Sequence, residues 1–180
     1  NDFKESGKFI YAYGDNYSQR EYYLSAAADS VFMNPVGMLD FRGLASEITF
    51  YKNLMEKVGI EMQVFKVGTY KSAVEPYIAT KMSEANKEQT RIYMDAIWSD
   101  LLTNLSKSRS IPVLQLNAYA DTLLMTKAPE TILKYGFVDK LIYRPAFENL
   151  LKEKVGIDKD KELTLASVKE IASISQPKNN

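Results

Sequence analysis

The residue with the most specific chemistry in this chain is Lys71, which lies in the apolar segment 65–77. The chain contains no histidine and no cysteine. Histidine is the side chain that most often transfers protons near neutral pH, so a lysine or a carboxylate would have to do this work here. The segment follows a predicted strand and surrounds Lys71 with apolar and aromatic side chains. We therefore expect Lys71 to be the general base if this chain takes part in catalysis.

A lysine acts as a base only when its amine is neutral. Free lysine has a pKa of about 10.4, so work near neutral pH needs a downward shift of about 3 units, or roughly 4 kcal/mol. Burial among apolar groups supplies such a shift, and Tyr70, Val74 and Tyr77 are suitable neighbours. A carboxylate close to the amine would instead hold its proton on. We therefore expect Glu75 to point away from Lys71.

Ser18 and Ser72 are weaker candidates for a nucleophile. Ser18 and Glu21 have the spacing of a capping box, so the favoured role of Ser18 is to cap a helix. Ser72 adjoins Lys71, but neighbouring side chains of an extended segment point to opposite faces. This argues against a dyad of Ser72 with Lys71 and leaves Ser72 a hydrogen-bonding role near the site.

Composition narrows the classes of function. The chain has 180 residues, 46% of them hydrophobic, which suits one globular domain with a sizeable core. Lys+Arg and Asp+Glu are both 23, and this zero formal charge argues against a nucleic-acid surface. The missing cysteines and histidines exclude disulfides, thiolate sites and the usual transition-metal ligands. A carboxylate-only Mg²⁺ or Ca²⁺ site stays open, although segment 158–161 lacks the EF-hand pattern, and we predict no cofactor.

The first half of the chain alternates between predicted strands and helices. Apolar runs predict buried strands at 8–13 and 31–33, with a helix at 18–28 between them. A second helix is predicted to run from Ser46 to a C-cap near Gly59, followed by a third strand at 60–64. This alternation predicts the α/β class with a parallel sheet.

The second half is dominated by one long predicted helix at 83–108. Its apolar stripe indicates core or oligomer contact and consists of Met94, Ile97, Trp98, Leu101, Leu102 and Leu105. Pro112 and Pro129 predict two further short helices, and segment 136–139 predicts a turn into a short strand. The tail at 161–171 is expected to hold a strand and a partial helix. A group of tyrosines is expected to pack in the core or at a subunit interface: Tyr11, Tyr13, Tyr17, Tyr22 and Tyr23.

Both ends of the chain suggest a piece of a longer protein. Residues 1–7 resemble the tail of a helix ended by a glycine, and residues 176–180 are typical of a linker. No apolar run is long enough to span a bilayer, and no signal-peptide pattern is present. We expect an upstream membrane anchor to lie outside this sequence.

Three strings of residues resemble a known family. They are Tyr-Tyr-Leu-Ser-Ala-Ala-Ala-Asp at 22–29, Val-Gly-Thr-Tyr-Lys-Ser-Ala-Val-Glu-Pro at 67–76 and Leu-Lys-Tyr-Gly-Phe-Val-Asp at 133–139. With them, roughly residues 1–155 closely resemble the bacterial signal peptide peptidase A family, also called protease IV. The chain is most similar to the amino-terminal half of the long members, which contain two repeats.

This resemblance implies a fold and a boundary. The implied fold is a ClpP/crotonase-like spiral of strand-strand-helix units, here a partial domain with a long helix. Residues 1–156 would form this lysine-bearing domain, truncated at its N-terminus. Residues 157–180 would be an extension toward a second repeat. Gly43 matches a glycine of the loop that helps to build the substrate groove in catalytic repeats, although a plain turn is the favoured role here.

The resemblance also implies a divided active site. The family uses a serine–lysine dyad, and its general-base lysine maps onto Lys71. The nucleophilic serine would come from the second repeat, beyond Asn180. In catalytic repeats a serine followed by two glycines begins the helix after the apolar strand, whereas this chain has Gln19, Arg20 and Glu21 there. This repeat therefore resembles half of a dyad, with the base kept and the nucleophile lost.

The implied activity is degradation of remnant signal peptides or other apolar peptides. It would take place at the extracytoplasmic, periplasmic face of the bacterial inner membrane, in a homo-oligomer. The isolated piece would be inactive. An alternative is a non-catalytic module that builds the oligomer and shapes the groove. An acyl-CoA enzyme on the same fold is a remoter option, because no segment points to a CoA cleft or to donors for a thioester oxyanion.

Overall fold

The computed structural model describes residues 2–64 and 72–173, and within them the chain builds a small parallel sheet. Its strands are β1 (Tyr11–Gly14), β2 (Ser30–Met33) and β3 (Lys140–Leu141), in the order β1-β2-β3. Both pairings are parallel, with Ala12 beside Val31 and Phe32 beside Lys140. A parallel sheet joined by helices confirms the predicted α/β class.

The central strand β2 is apolar on both faces. Val31, Phe32 and Met33 are all buried, as expected for a strand covered on both sides. The four residues of β1 are only half-buried, and β1 lies at one side of the described sheet. The prediction of a fully buried strand at 8–13 was therefore wrong in two respects, its start and its degree of burial.

The helices of the described residues differ greatly in length. Within the described ranges they are α1 (Asp2–Glu5), α2 (Gln19–Ser25), α3 (Lys52–Lys57), α4 (Glu75–Ile78), α5 (Glu84–Arg109), α6 (Val113–Ala120), α7 (Pro129–Lys134), α8 (Arg144–Val155) and α9 (Val168–Ala172). Short 3-10 turns precede α4, at Ser72–Val74, and α7, at Leu124–Thr126.

The main core lies between the sheet and the C-terminal part of α5. Its largest fully buried side chains include Tyr22, Phe41 and Phe137, and Leu105 of α5 joins them. The Tyr22 hydroxyl donates to the carbonyl of Phe137 at 2.7 Å, which satisfies its polar atom inside the core. A smaller cluster on the other side of the sheet packs β2 against α8 through Phe32, Ile142 and Phe147.

The predicted long helix is confirmed. Ser83 is its N-cap, since its hydroxyl accepts from the Asn86 backbone N–H, and the helix ends at Arg109. The predicted apolar stripe is buried only toward its C-terminal end, where Leu102 lies in the core, whereas Ile97 stays exposed. The helices after Pro112 and Pro129 are also confirmed.

Three boundaries differ from the sequence prediction. The helix expected from Ser46 begins only at Lys52 and has no buried residue, so no apolar face supports an earlier start. Residues 60–64, predicted as a strand, are not in a strand, and Ile60 and Met62 are exposed. The helix expected at 18–28 ends at Ser25.

The C-terminal region combines one missed helix with one expected helix. Helix α8 was not predicted, although it has Pro145 in its first turn and Gly156 as its C-cap, with a φ of 71°. In the tail, the partial helix is α9, capped by a box between Ser167 and Glu170. The strand also expected at 161–171 does not form among the described residues.

Candidate functional site

The predicted catalytic lysine, Lys71, lies outside the described residues, and so do Tyr70 and the rest of 65–71. Its role and its distance to any partner therefore stay predictions. The structure describes the segment that follows at once, Ser72–Val74 and then α4. This segment is the nearest described support for the predicted base.

Glu75 anchors that segment to the N-terminus of α5. It is 5% exposed, and its Oε1 accepts from the Ser83 hydroxyl at 2.6 Å. Its Oε2 accepts from the Ser83 N–H at 3.1 Å and from Asn86 Nδ2 at 2.9 Å. A carboxylate is also favoured at this end of a helix because unpaired N–H groups give it partial positive charge. The segment after Lys71 is thus fixed to the longest described helix by three hydrogen bonds to a buried carboxylate.

A second set of contacts joins α4 to the start of α3. The Tyr51 N–H donates to the Pro76 carbonyl at 2.6 Å, and the rings of Tyr51 and Tyr77 stack with centroids 5.9 Å apart. Tyr77 itself is partly exposed. Helices α3 and α4 therefore pack on each other, mainly through groups that water still reaches.

Ser18 has the structural role that its spacing predicted. Its hydroxyl accepts from the Glu21 N–H, and Glu21 Oε2 accepts from the Ser18 N–H at 2.9 Å, so the capping box is complete. The Ser18 N–H and the Ser18 hydroxyl both donate to Glu21 Oε2, and these two bonds hold the pKa of Glu21 below its ordinary value. The displaced-nucleophile interpretation of Ser18 gains no support from this arrangement.

Gln19 makes the least expected contact of the region. Its Oε1 accepts from the backbone N–H groups of Arg42 and Gly43 at 3.0 and 3.1 Å, and its Nε2 donates to the Gly43 carbonyl at 3.1 Å. Gly43 has a φ of 87°, a left-handed backbone conformation that glycine adopts without strain. Sequence reasoning missed this contact, because a polar residue at the start of a helix does not reveal a partner more than twenty positions away.

A cleft of about 500 Å³ opens beside the same loop. Arg42, Gly43 and Leu44 form one side, and the face of α5 bearing Met94 and Trp98 forms another. Trp98 Nε1 donates to Asn117 Oδ1 at 2.9 Å, which fixes the indole at the edge of the cleft. The lining mixes these apolar and aromatic side chains with charged ones, among them Arg91 and Asp95.

The tyrosines serve mainly as packing residues. Tyr17 and Tyr22 lie in the core, and Tyr13 stacks on Phe147 with centroids 4.9 Å apart. Burial raises the pKa of Tyr17 to about 12 and also raises that of Tyr22. The Tyr17 hydroxyl donates to the Phe32 carbonyl at 3.0 Å. Across residues 2–64 and 72–173, no group of three acidic side chains converges in a way that could hold a metal ion.

Comparison with known proteins identifies the family. Residues 2–158 match the sequence model of peptidase family S49. The chain belongs to peptidase family S49. The resemblance to signal peptide peptidase A, or protease IV, is thereby confirmed.

The S49 chain is similar to three longer proteins. It is 37% identical over 143 residues to Protease 4 of Salmonella typhi, a match that covers 78% of this chain and 23% of that protein. It is 38% identical over 109 residues to Protease 4 of Haemophilus influenzae, a match that covers 61% of this chain and 18% of that protein. It is 30% identical over 175 residues to the chloroplastic serine protease SPPA of Arabidopsis thaliana, a match that covers 97% of this chain and 26% of that protein. The S49 chain thus spans about a quarter of these relatives or less.

Proposed function

We propose that the full-length protein is a serine peptidase with a Ser-Lys dyad, in which Lys71 of this chain is the general base and a second repeat supplies the serine. The observation that carries the proposal is the S49 match over residues 2–158, which includes the string 67–76 around Lys71. The names of the relatives, Protease 4 and serine protease SPPA, support a protease. With no histidine and no cysteine in this chain, a lysine is the natural base.

In the proposed mechanism the lysine first accepts a proton as a general base and then donates it as a general acid. The neutral Lys71 amine takes the proton from the serine hydroxyl as the oxygen attacks the peptide carbonyl. The resulting ammonium then gives that proton to the departing amine, which leaves the acyl group on the serine. In the second half of the reaction the neutral lysine activates water in the same way, and the water releases the acyl group from the serine. Such a base must be held in place, and the Glu75 network with Ser83 and Asn86 supports the position of the segment after Lys71.

The same proposal includes the fold and the domain boundary. A ClpP/crotonase-like spiral agrees with parallel strands connected through helices, as in β1, β2 and β3. The end of α8 at Val155 with Gly156 as its cap supports a domain boundary near residue 156. Residues 157–180 would then lead toward the second repeat.

Lys71→Ala in the full-length protein tests the catalytic role. We expect cleavage of an apolar peptide to fall by about 100-fold or more, because general-base catalysis contributes on that scale. Lys71→Arg should be equally inactive, since a guanidinium cannot become neutral. The matched control is Lys127→Ala, an exposed lysine. Cleavage at the wild-type rate by correctly folded Lys71→Ala protein would refute the proposal.

A second candidate function is a non-catalytic assembly module, and one observation favours it. Among the described residues between 42 and 101, only Glu75 and Asn86 are buried, and both are polar. Large apolar side chains in this stretch are exposed, including Leu54, Val58, Ile60, Ile92 and Tyr93. Such a surface is typical of an interface, here with a second copy of the protein or with the second repeat.

The two candidates differ in what Ile92→Asp and Lys71→Ala should do. If the stretch mainly builds the oligomer, Ile92→Asp lowers the mass seen in sizing experiments, and Lys71→Ala leaves cleavage intact. If the first proposal holds, Lys71→Ala abolishes cleavage without changing the mass. Glu88→Ala, an exposed change on the same helix, is the control.

The proposed substrates are remnant signal peptides or other apolar peptides, and the proposed place is the periplasmic face of the bacterial inner membrane. The balanced charge of the chain supports a peptide rather than a nucleic acid as partner. In the part of the chain that the structure describes, no helix is both long and apolar enough to cross a bilayer. The proposed membrane anchor belongs to a part of the full-length protein outside this chain, and membrane fractionation of the full-length protein tests it.

A further inference from the structure

Helix α9 has an apolar face that no described part of the chain covers. Its start is well formed, because Ser167 and Glu170 make a complete capping box. None of its residues is buried, however, and Val168 and Ile171, three positions apart on one face, are 84% and 58% exposed. A helix of five residues is marginal by itself in water, so packing of this face on a partner would stabilise it.

A groove of about 490 Å³ lies between α3, the residues that follow α3, and α4. The apolar residues of this α3–α4 groove, all but the first of them exposed, are Met55, Ile60, Met62, Tyr77 and Ile78. Its charged residues are Lys52, Glu56 and Glu61. Apolar grooves bind one face of an amphipathic helix through side chains three or four positions apart, which is the spacing of Val168 and Ile171.

The charges beside the two surfaces are complementary. In the groove, Lys52 pairs with Glu56 at 3.6 Å, whereas Glu61 forms no ion pair with any described residue. On α9, Glu170 lies away from the apolar face and is engaged in the capping box. Lys169 lies beside the apolar face and is also unpaired among the described residues. Docking of α9 in the groove would bring the Lys169 ammonium and the Glu61 carboxylate together.

The groove of the same copy lies out of reach of α9. Leu165 lines a cleft with Phe147 and Leu151 of α8, which packs on one side of the sheet. The groove belongs with α5 on the other side, because Glu75 bonds α4 to the start of α5. The three residues from Leu165 to Val168 span about 10 Å at most, which is only about the thickness of one packed layer. A second copy can present the groove without this restriction.

We propose that α9 of one copy docks in the α3–α4 groove of a second copy, with Val168 and Ile171 on the apolar lining and Lys169 beside Glu61. In a two-fold dimer each copy gives one helix and receives one. The contact then forms twice, and the second contact forms at a high effective concentration. The proposal goes beyond the peptidase function, since it names the surfaces that join two copies and holds whether or not Lys71 is a base.

Self-association of the full-length protein, followed by analytical ultracentrifugation, tests the apolar half of the contact. Val168→Asp should weaken self-association by about 10-fold or more, because it places a carboxylate on the apolar lining. An acidic residue in the first turn of a helix favours the helix, so the loss would come from the contact and not from unfolding of α9. Val36→Asp is the matched control, because Val36 is 77% exposed in a turn far along the sequence and should leave self-association unchanged. Equal effects of the two variants, or no effect of Val168→Asp, would overturn the proposal.

A zero-length carbodiimide crosslink between Glu61 and Lys169 tests the identity of the partner. We expect it in the wild type and also when a Glu61→Gln version is co-expressed with a Lys169→Gln version. Neither version can form this crosslink alone, so its presence in the mixture means that it joins two copies. A crosslink found in the wild type but lost in the mixture would place α9 in a groove of its own polypeptide. That result, or the absence of the crosslink from both samples, would reject the proposal.

Discussion

Arg109 and Asp139 form a two-pronged ion pair that ties the end of α5 to the sheet. Arg109 Nη1 and Nη2 donate to the two carboxylate oxygens at 2.9 and 2.8 Å, and the guanidinium also donates to the Gly136 carbonyl. Asp139 Oδ2 accepts in addition from the Val31 N–H of β2 at 2.7 Å. One pair of side chains thus joins the long helix, the turn before β3 and the central strand.

Removing Arg109 should destabilise the fold. The Arg109 side chain is 7% exposed and that of Asp139 is 42% exposed, so water screens the pair only in part. We expect Arg109→Ala to lower the free energy of unfolding by about 1–3 kcal/mol, as measured by urea denaturation. The matched control is Arg144→Ala, which breaks an exposed pair with Glu148 and should cost no more than about 0.5 kcal/mol. Equal losses in both variants would contradict the assigned role.

Asp139 should also give the fold an acid-dependent component of stability. Burial raises its pKa, but the hydrogen bonds from Arg109 and Val31 outweigh burial and hold the pKa below the ordinary value. A group with a lowered folded pKa stabilises the fold above its unfolded pKa of about 3.9, and this contribution is lost as the pH falls toward the folded value. Unfolding experiments from pH 7 to pH 2 should therefore show a shallower acid loss in Asp139→Asn. Asp160→Asn, at an exposed turn, should keep the wild-type slope.

The sequence predicted the elements whose boundaries are set locally. Helix α5 was placed correctly because Ser83 caps it and its apolar stripe has helical spacing, and the Ser18 box fixed the start of α2. The strand expected at 60–64 failed for the opposite reason. Its alternating pattern predicts a strand with one buried face, but Ile60 and Met62 are exposed and no described strand pairs with them.

The candidate site was less accessible to sequence reasoning. Lys71 is predicted from the composition of the chain and from a contiguous family motif, and neither depends on contacts between distant residues. The contacts of Gln19 with Gly43 and of Glu75 with Ser83 join residues 24 and 8 positions apart. Such contacts depend on where the loops lie in the folded protein, and the periodicity of apolar residues along the sequence carries no information about that. The buried acidic residue Glu75 was a signal nonetheless, because its neighbours in the sequence are apolar and a carboxylate among them needs partners.

Tyr17 should limit stability at high pH. Burial raises its pKa to about 12, above the ordinary 10.0 of a tyrosine. The neutral form is therefore favoured in the fold, and its contribution is complete below about pH 10 and is lost as the pH rises through about 12. Tyr17→Phe should lose about 1 kcal/mol at pH 7 with the bond to the Phe32 carbonyl, but should show a shallower alkaline decline. The control is Tyr143→Phe, which replaces an exposed tyrosine. If stability fell as steeply at high pH in Tyr17→Phe as in Tyr143→Phe, the assigned role of Tyr17 would be contradicted.

Glu75→Gln should loosen the segment that follows Lys71. The substitution turns one acceptor oxygen into an NH₂ group, so the buried Asn86 amide or the exposed Ser83 loses an acceptor, and the loss at Asn86 costs about 1–3 kcal/mol. We expect faster hydrogen exchange in the first turn of α5 and, if Lys71 is the base, a lower kcat with little change in KM. Glu84→Gln is a close control, because Glu84 is the next residue after Ser83 but is 89% exposed. If both variants exchanged and cleaved alike, Glu75 would have no positioning role. A loss of kcat confined to Glu75→Gln would connect the buried carboxylate to the segment that follows Lys71, since Glu84→Gln makes the same chemical change and breaks only an exposed ion pair with Lys87.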